Sequence, residues 1–398
     1  MARATTSSPE VQAAQYGLDV ARATSAFGRV PLIGNPIVGV RAMFGVPNAA
    51  QVSSYNFTVA VPIDMSGQRP LFAREARWAI REAGARLDVA VNDAGARARA
   101  SYVELAGADA IIVVAAGRVA GAGDVLARAR AGLERGSATA LDLSLAMREL
   151  AEATADLHAA QRDRDESAGR FREAMDLTSA DAARVEPLLP PTIPAGLTRA
   201  TAVRMAIAQR QERAAGAAGA RRFLLAAQRF RAQYIGPVWI QPELALSNNV
   251  YLQATGGVSA QWALPVLHTG QGERAVAHAQ SLASGADGAR AARRADREAG
   301  TAWDVLVSRL AELRTLQTEA IPALEQTLVA TERQLELGAT DFFRVLYARR
   351  ELALMRVRTA AALREAWRAR IVLERALGSP ADLRSSGAGE PALSGDDA

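Results

Sequence analysis

The chain has 398 residues, 47 basic against 42 acidic for a formal charge of +5, and no cysteine. The missing cysteines exclude disulfides, thiolate metal sites and a cysteine nucleophile within these residues. Every basic residue is an arginine and acids are interspersed among them, so no nucleic-acid partner is expected.

Aromatics make up 5% and alanine dominates, which suits long helices packed closely and sets the coarse class as mostly α. The longest apolar run, residues 110–116, stops at Gly117 and Arg118, so no membrane-spanning helix is expected. The start, MARATTSSPEV, shows no hydrophobic signal segment, which fits a cytosolic chain or a mature or late-started form.

Residues 8–28 form an Ala-rich helical stretch, followed by two β-type runs at 37–46 and 54–63. Tyr55, Phe57, Val59 and Val61 share one face of the second run, with Asn56 and Thr58 on the other. Runs of about ten residues with one apolar face fit transmembrane β-strands. They fit a soluble hairpin equally, and context decides between the two. Residues 69–135 contain no Gly-Pro cluster and predict a helical rod, about 100 Å long if continuous, with Pro70 near its start. Gly84, Gly95, Gly107, Gly121 and Gly123 weaken that continuity or mark close approaches between rods. Gly136 ends the rod by taking the left-handed conformation. Ser137 or Thr139 can cap the next helix, which runs to about Met175. The segment 186–194 carries four prolines and predicts an extended connector.

The same order then returns. Residues 200–234 are helical and 238–246 and 258–266 are β-type, with Val258, Ala260, Trp262 and Leu264 on one face and Pro242 weakening the third run. A second rod covers 271–337, interrupted only by Pro322. Gly338 ends it, Thr340 can cap the return helix, and that helix runs to Leu377. Leu335, Phe342, Leu346, Leu352 and Leu354 recur at helical spacings and read as packing positions. The tail 379–398 is rich in Ser, Gly, Pro and Asp and is expected to be flexible. Three landmarks repeat at a nearly constant offset: Pro36 with Pro237; Pro62 and Gly67 with Pro265 and Gly270; and Arg148-Glu149-Leu150 with Arg350-Glu351-Leu352. The chain therefore reads as two copies of one unit, residues 1–195 and 196–378, with loops at 47–53 and 247–257 joining the paired strands.

This order, with the segments AVPIDMSG (60–67), LPVLHTG (264–270), ELGATDFFRVLYARREL (336–352) and RIVLERALG (370–378), resembles the TolC-type outer-membrane efflux proteins over residues 8–378. PIDMSGQR resembles their metal-exporting branch. The resemblance implies a homotrimer in which four strands per chain close a 12-stranded barrel in outer-membrane lipid and the rods form a tunnel in the periplasm. It implies a passive duct of a tripartite efflux or secretion system, supplied by an inner-membrane pump through a periplasmic adaptor. It implies no catalysis and no cofactor or metal of its own.

The resemblance places Gly136, Ser137, Gly338, Ala339 and Thr340 on helix-turn-helix tips facing the adaptor, and Asp142, Asp341, Arg344 and Tyr347 at the aperture. Asp142 matches an acidic tip position. The second copy has Arg344 and Tyr347 where the family often carries carboxylates, which removes the basis for expecting cation selectivity. Asp341 reads equally as a helix N-terminal charge. His158, His268 and His278 lack metal or catalytic spacing, and no phosphate loop is present. A periplasmic adaptor would have one helical hairpin rather than two, and a coiled-coil scaffold would leave the alternating strands unexplained. The exported substrate is not legible in the chain.

Overall fold

The computed structural model describes residues 2–27, 34–44, 53–179, 181, 183, 185–234, 236–248, 252–262 and 269–378. In chain order these form α1 (Ala2–Ser7), α2 (Pro9–Ala26), β1 (Ile37–Met43), β2 (Ser53–Ile63), α3 (Gln68–Glu134), α4 (Ala140–Met175), α5 (Arg199–Gln209), α6 (Gln211–Gln233), β3 (Val238–Asn248), β4 (Leu252–Trp262), α7 (Gln271–Thr315), α8 (Ile321–Glu336) and α9 (Phe342–Leu377). Two compact units result: residues 1–12, 89–210 and 292–398 form one, and residues 13–88 and 211–291 the other. Neither coincides with the expected repeats, residues 1–195 and 196–378, because each takes chain from both ranges.

The expected rods form, with one difference between them. α3 runs unbroken for 67 residues, its glycines absorbed within the helix and Pro70 in its first turn, where a missing N–H costs nothing. The second rod is divided: α7 gives way to a π-helical turn, Leu316–Ala320, before α8 begins with Pro322 in its first turn. Proline lacks the N–H for the usual bond and its ring crowds the carbonyl four residues back. The wider turn accommodates this, with Ile321 N–H donating to Leu316 O, five residues back, as in a π-bulge.

One 18-residue stretch of α3 reaches a mean hydropathy of 1.7 with at most two charged residues, long and apolar enough to cross a membrane by composition. Glycines and single charges interrupt its apolar runs while leaving the average high, so it differs from the expectation of no such helix. Within the first unit, α3 buries Val103, Leu105 and Ala106 at 3% exposure or less. Leu105 packs with Ala168 and Phe171 of α4, and Val103 with Ile371 of α9.

Arginine–carboxylate pairs stitch the same helices together: Arg99 to Glu374 at 2.9 Å, Arg375 to Asp93 at 2.8 Å, and Arg368 to Glu104. The 186–194 connector forms neither helix nor strand and is strapped down. Tyr102 Oη accepts from the Glu186 N–H at 3.0 Å, and Trp367 Nε1 donates to Leu189 O at 2.7 Å. The single helix expected over 200–234 is two, α5 and α6, broken at Arg210, whose backbone is extended.

The second unit packs differently. α6 meets α7 through small residues, and a Cβ on Gly216 would lie 2.6 Å from the Gly288 Cα. Ser281 Oγ donates to Ala220 O at 2.8 Å across the same seam. Glu82, 3% exposed, is held by Arg86 at 2.5 Å and Arg222 at 3.1 Å. A buried carboxylate persists only when so paired.

The four strands form one antiparallel sheet in the order β1-β2-β3-β4. Four boundaries differ from expectation, the smallest being β2, which takes in Ser53 of the expected 47–53 loop. β1 ends at Met43, with Phe44 outside it and residues 45–46 outside the described ones. β3 runs to Asn248 and β4 starts at Leu252, so most of the expected 247–257 loop is strand. Ser247 pairs with Gln253 and Gly257 with Glu243. Cross-strand partners override the weak strand propensity of Gly256 and Gly257. Pro242 stays inside β3 and still pairs with Val258, while the pairing between β2 and β3 skips residues 59–60 opposite 241–242. The missing N–H removes ladder bonds on one side only. Residues 47–52 and 249–251 of the expected loops, 263–268 with His268, and the tail 379–398 lie outside the described residues.

Candidate functional site

Two surfaces bear on function: the turns of the first unit and the faces of the sheet in the second.

The rod α3 ends at Glu134 and the return helix α4 begins at Ala140; α8 ends at Glu336 and α9 begins at Phe342. Gly136 and Gly338 both have φ of +70°. Gly136 N–H donates to Leu133 O at 3.1 Å and Ser137 N–H to Gly132 O at 2.8 Å; Gly338 N–H donates to Leu335 O at 3.0 Å and Ala339 N–H to Gln334 O at 2.8 Å. This is the same Schellman turn built twice, once after each rod. A Cβ at either glycine would meet nothing within 4 Å, so the requirement is for backbone conformation rather than space. Gly136, Ser137, Gly338 and Ala339 are exposed.

The caps that follow diverge. In the first turn Thr139 and Asp142 form a reciprocal capping box: Asp142 N–H donates to Thr139 Oγ1 at 3.2 Å, and Thr139 N–H to Asp142 Oδ2 at 2.8 Å. The Thr139 hydroxyl, then its backbone N–H, hold the Asp142 carboxyl below the usual aspartate range. In the second turn the cap is Asp341, which accepts from Arg344 N–H at 3.0 Å. Thr340 does not cap, and its Oγ1 is buried without a partner among the described residues. The helix-terminal reading of Asp341 thus describes its geometry. Asp142 and Arg344 occupy the same third position of their helices, one acid and one base. Arg344 and Tyr347 lie on the exposed side of α9, Tyr347 at 59%, while Val345 and Ala348 face inward. No ion pair joins Asp142 to Arg344 among the described residues.

Behind the turns, Val125, Leu126 and Ala129 of α3 pack with Ala146 of α4, and Phe342 and Leu346 of α9 close over them. The matched arginines Arg148 and Arg350 converge on one carboxylate, Glu152, at 3.5 and 3.4 Å. Arg118, 11% exposed, holds Glu149 at 2.7 Å and also Asp156. Of the expected packing positions, Leu352 is buried and Leu354 is 47% exposed.

In the second unit, register assigns the faces of the sheet. Val40, Phe57, Leu244 and Gly256 stand side by side, as do Ala42, Tyr55, Leu246 and Ala254. This face carries no charge. The opposite face carries Arg41, Asn56, Thr58, Gln241, Glu243, Thr255 and Gln261. The large apolar residues are exposed, Val40 at 64%, Phe57 at 43% and Val258 at 75%. Along the apolar face, the row of Tyr55 and Ala254 lies eight residues from Trp262, about 26 Å along the strand. An apolar band of about 25 Å between aromatic ends matches an outer-membrane strand. β1 and β4 have no outer partner among the described residues.

Sequence reading missed the anchor at the strand-to-helix junction. Asp64 Oδ1 accepts from Ser66 N–H at 2.9 Å and Oδ2 from Arg69 N–H at 3.2 Å, fastening β2 to the start of α3. Burial raises its carboxyl, but the Ser66 hydroxyl and the backbone N–H donors outweigh that and lower it. The signal was present as Asp64 with Ser66-Gly67 two residues on, an Asx-type turn before a helix.

A family model described as outer membrane efflux protein matches residues 1–175. That match covers less than half of the chain. Solved structures extend the likeness in fold beyond the matched residues. The structure of CusC matches with a TM-score of 0.76 at 16% identity over 95% of this chain and 91% of that one. The outer membrane protein VceC from Vibrio cholerae matches at 0.76 and 15% over 95% and 94%. The CmeC outer membrane channel from Campylobacter jejuni matches at 0.76 and 12% over 94% and 84%. No curated relative matches by sequence.

Proposed function

We propose that three copies of this chain form the passive exit duct of a tripartite efflux or secretion system. The carrying observation is the sheet: four strands with one uncharged, exposed apolar face and two open edges. Such a sheet is stable in lipid only when its edges are closed. Pairing β1 of one copy with β4 of the next closes a barrel, and twelve strands satisfy three chains. The helices stand in the periplasm, the Schellman turns meet a periplasmic adaptor, and an inner-membrane pump supplies the energy. Arg344, exposed at the start of α9, lines the aperture with Tyr347, while Asp341 and Asp142 stabilise the helix starts there. The two copies descend from duplication of one unit, residues 1–195 and 196–378.

The test is assembly in outer-membrane fractions. Unheated samples should migrate as a trimer that boiling dissociates, and Val40→Pro in the edge strand should abolish the trimer. Recovery of soluble monomer with an intact sheet would defeat the proposal.

A further inference from the structure

The strands contain one acid and one base among their described residues, Glu243 on β3 and Arg41 on β1. Register places both on the polar face. Arg41 pairs with Asn56, and Asn56 with Ala245, while Thr58 pairs with Glu243, and Glu243 with Gly257. The two charges therefore occupy adjacent rows, two residues apart along the strands and two strands apart across them, about 10 Å laterally. Both are exposed, and neither is in an ion pair among the described residues. The acidic row reads Gly39, Thr58, Glu243, Gly257, so Glu243 is its one long side chain. Its carboxylate lies over Gly257, where a Cβ would come within 3.3 Å of Oε1.

We propose that Glu243 and Arg41 form two stacked, oppositely charged levels inside the barrel lumen, and that their balance determines which charged solutes leave through it. This rests on the trimeric-barrel reading, which makes the polar face the lumen and repeats each charge three times. Rings of fixed charge along a pore attract counter-ions and repel like-charged ions. The strand ends that continue into the helices lie nearer Glu243. A solute leaving the helical part meets the acidic level first and the basic level one row later. The acidic level lowers the barrier for cations, and the basic level offsets that preference, so neither sign is held back. Removing either level leaves a barrel selective for one sign.

The absence of cysteine allows the potential to be read at single positions. Thr58→Cys places a thiol beside Glu243, Asn56→Cys places one beside Arg41, and Val59→Cys places one on the apolar face. Intact cells at about 10 mM ionic strength, where charges act over about 30 Å, would be treated with matched cationic and anionic membrane-impermeant methanethiosulfonates. Thr58→Cys should react about fivefold faster with the cationic reagent, Asn56→Cys should show the reverse preference, and Val59→Cys should stay protected. Adding Glu243→Gln should bring the Thr58→Cys ratio to one or below, and adding Arg41→Gln should raise it. Ratios unchanged by either substitution overturn the charged levels while leaving the barrel standing. Equal reactivity at residues 58 and 59 overturns the barrel reading, and the proposal with it.

Discussion

The turns after α3 and α8 have the same backbone, and the helices that lead into them do not. Both use a positive-φ glycine and the same two carbonyl partners. One is reached by 67 unbroken helical residues, the other through a π turn before Pro322. Their caps differ too, Thr139 with Asp142 against Asp341 with Arg344. The backbone requirement at a turn is local and strict, so both turns meet it. The helix before it and the charge after it are free to diverge, because many side chains satisfy a helix interior or an N-terminus.

The largest expected effect lies outside this pair and calibrates it. Gly216→Val would drive a side chain into the α7 backbone and should cost about 3 kcal/mol or more, read as a loss of trimer on heating. At the turns, where space is open, Gly136→Val and Gly338→Val should each cost only about 1–2 kcal/mol from the left-handed backbone. Both variants should still form trimers but lose crosslinking to the adaptor; normal adaptor crosslinking and export in both would show that the turns are not the docking surface. Unequal stability of the two would break the equivalence of the turns.

Next come the caps. Thr139→Ala and Asp341→Ala should each cost about 1 kcal/mol, with Asp341→Asn nearly neutral, measured by hydrogen exchange in the first turn of α4 or α9. The Asp142 carboxyl is lower in the fold than unfolded. Its contribution is therefore complete above the ordinary aspartate pKa of about 3.9 and is lost as pH falls through the depressed folded value. Fraying of α4 should increase below pH about 4 in the parent and be independent of pH in Asp142→Asn. The smallest stability effect is expected from Pro322→Ala, which restores the bond donor and lets the π turn relax toward α-helix, bringing the second rod closer to the first. Retention of the π turn in a structure of that variant would show that packing, not proline, imposes it. Arg344→Asp should raise cation conductance in planar bilayers; an unchanged reversal potential would place Arg344 away from the aperture.

The two turn glycines and the alternation of the strands were legible, because each is set by residues within a few positions of one another. Even where the sequence misled, local signals were the reason. Residues 252–257 read as loop until Glu243 and Leu244 pair with Gly257 and Gly256, and Thr340 looks like a cap until Asp341 takes the Arg344 N–H. What only the tertiary structure decided are contacts between distant residues: Arg99 with Glu374, Arg148 and Arg350 sharing Glu152, Gly216 against Gly288, and the register that puts Arg41 and Glu243 on one face. Helical period and left-handed glycines are properties of the backbone and appear in the sequence. Register, close approach and ion pairing depend on which segments meet, and an arginine-rich chain offers too many equivalent partners for sequence to choose among them.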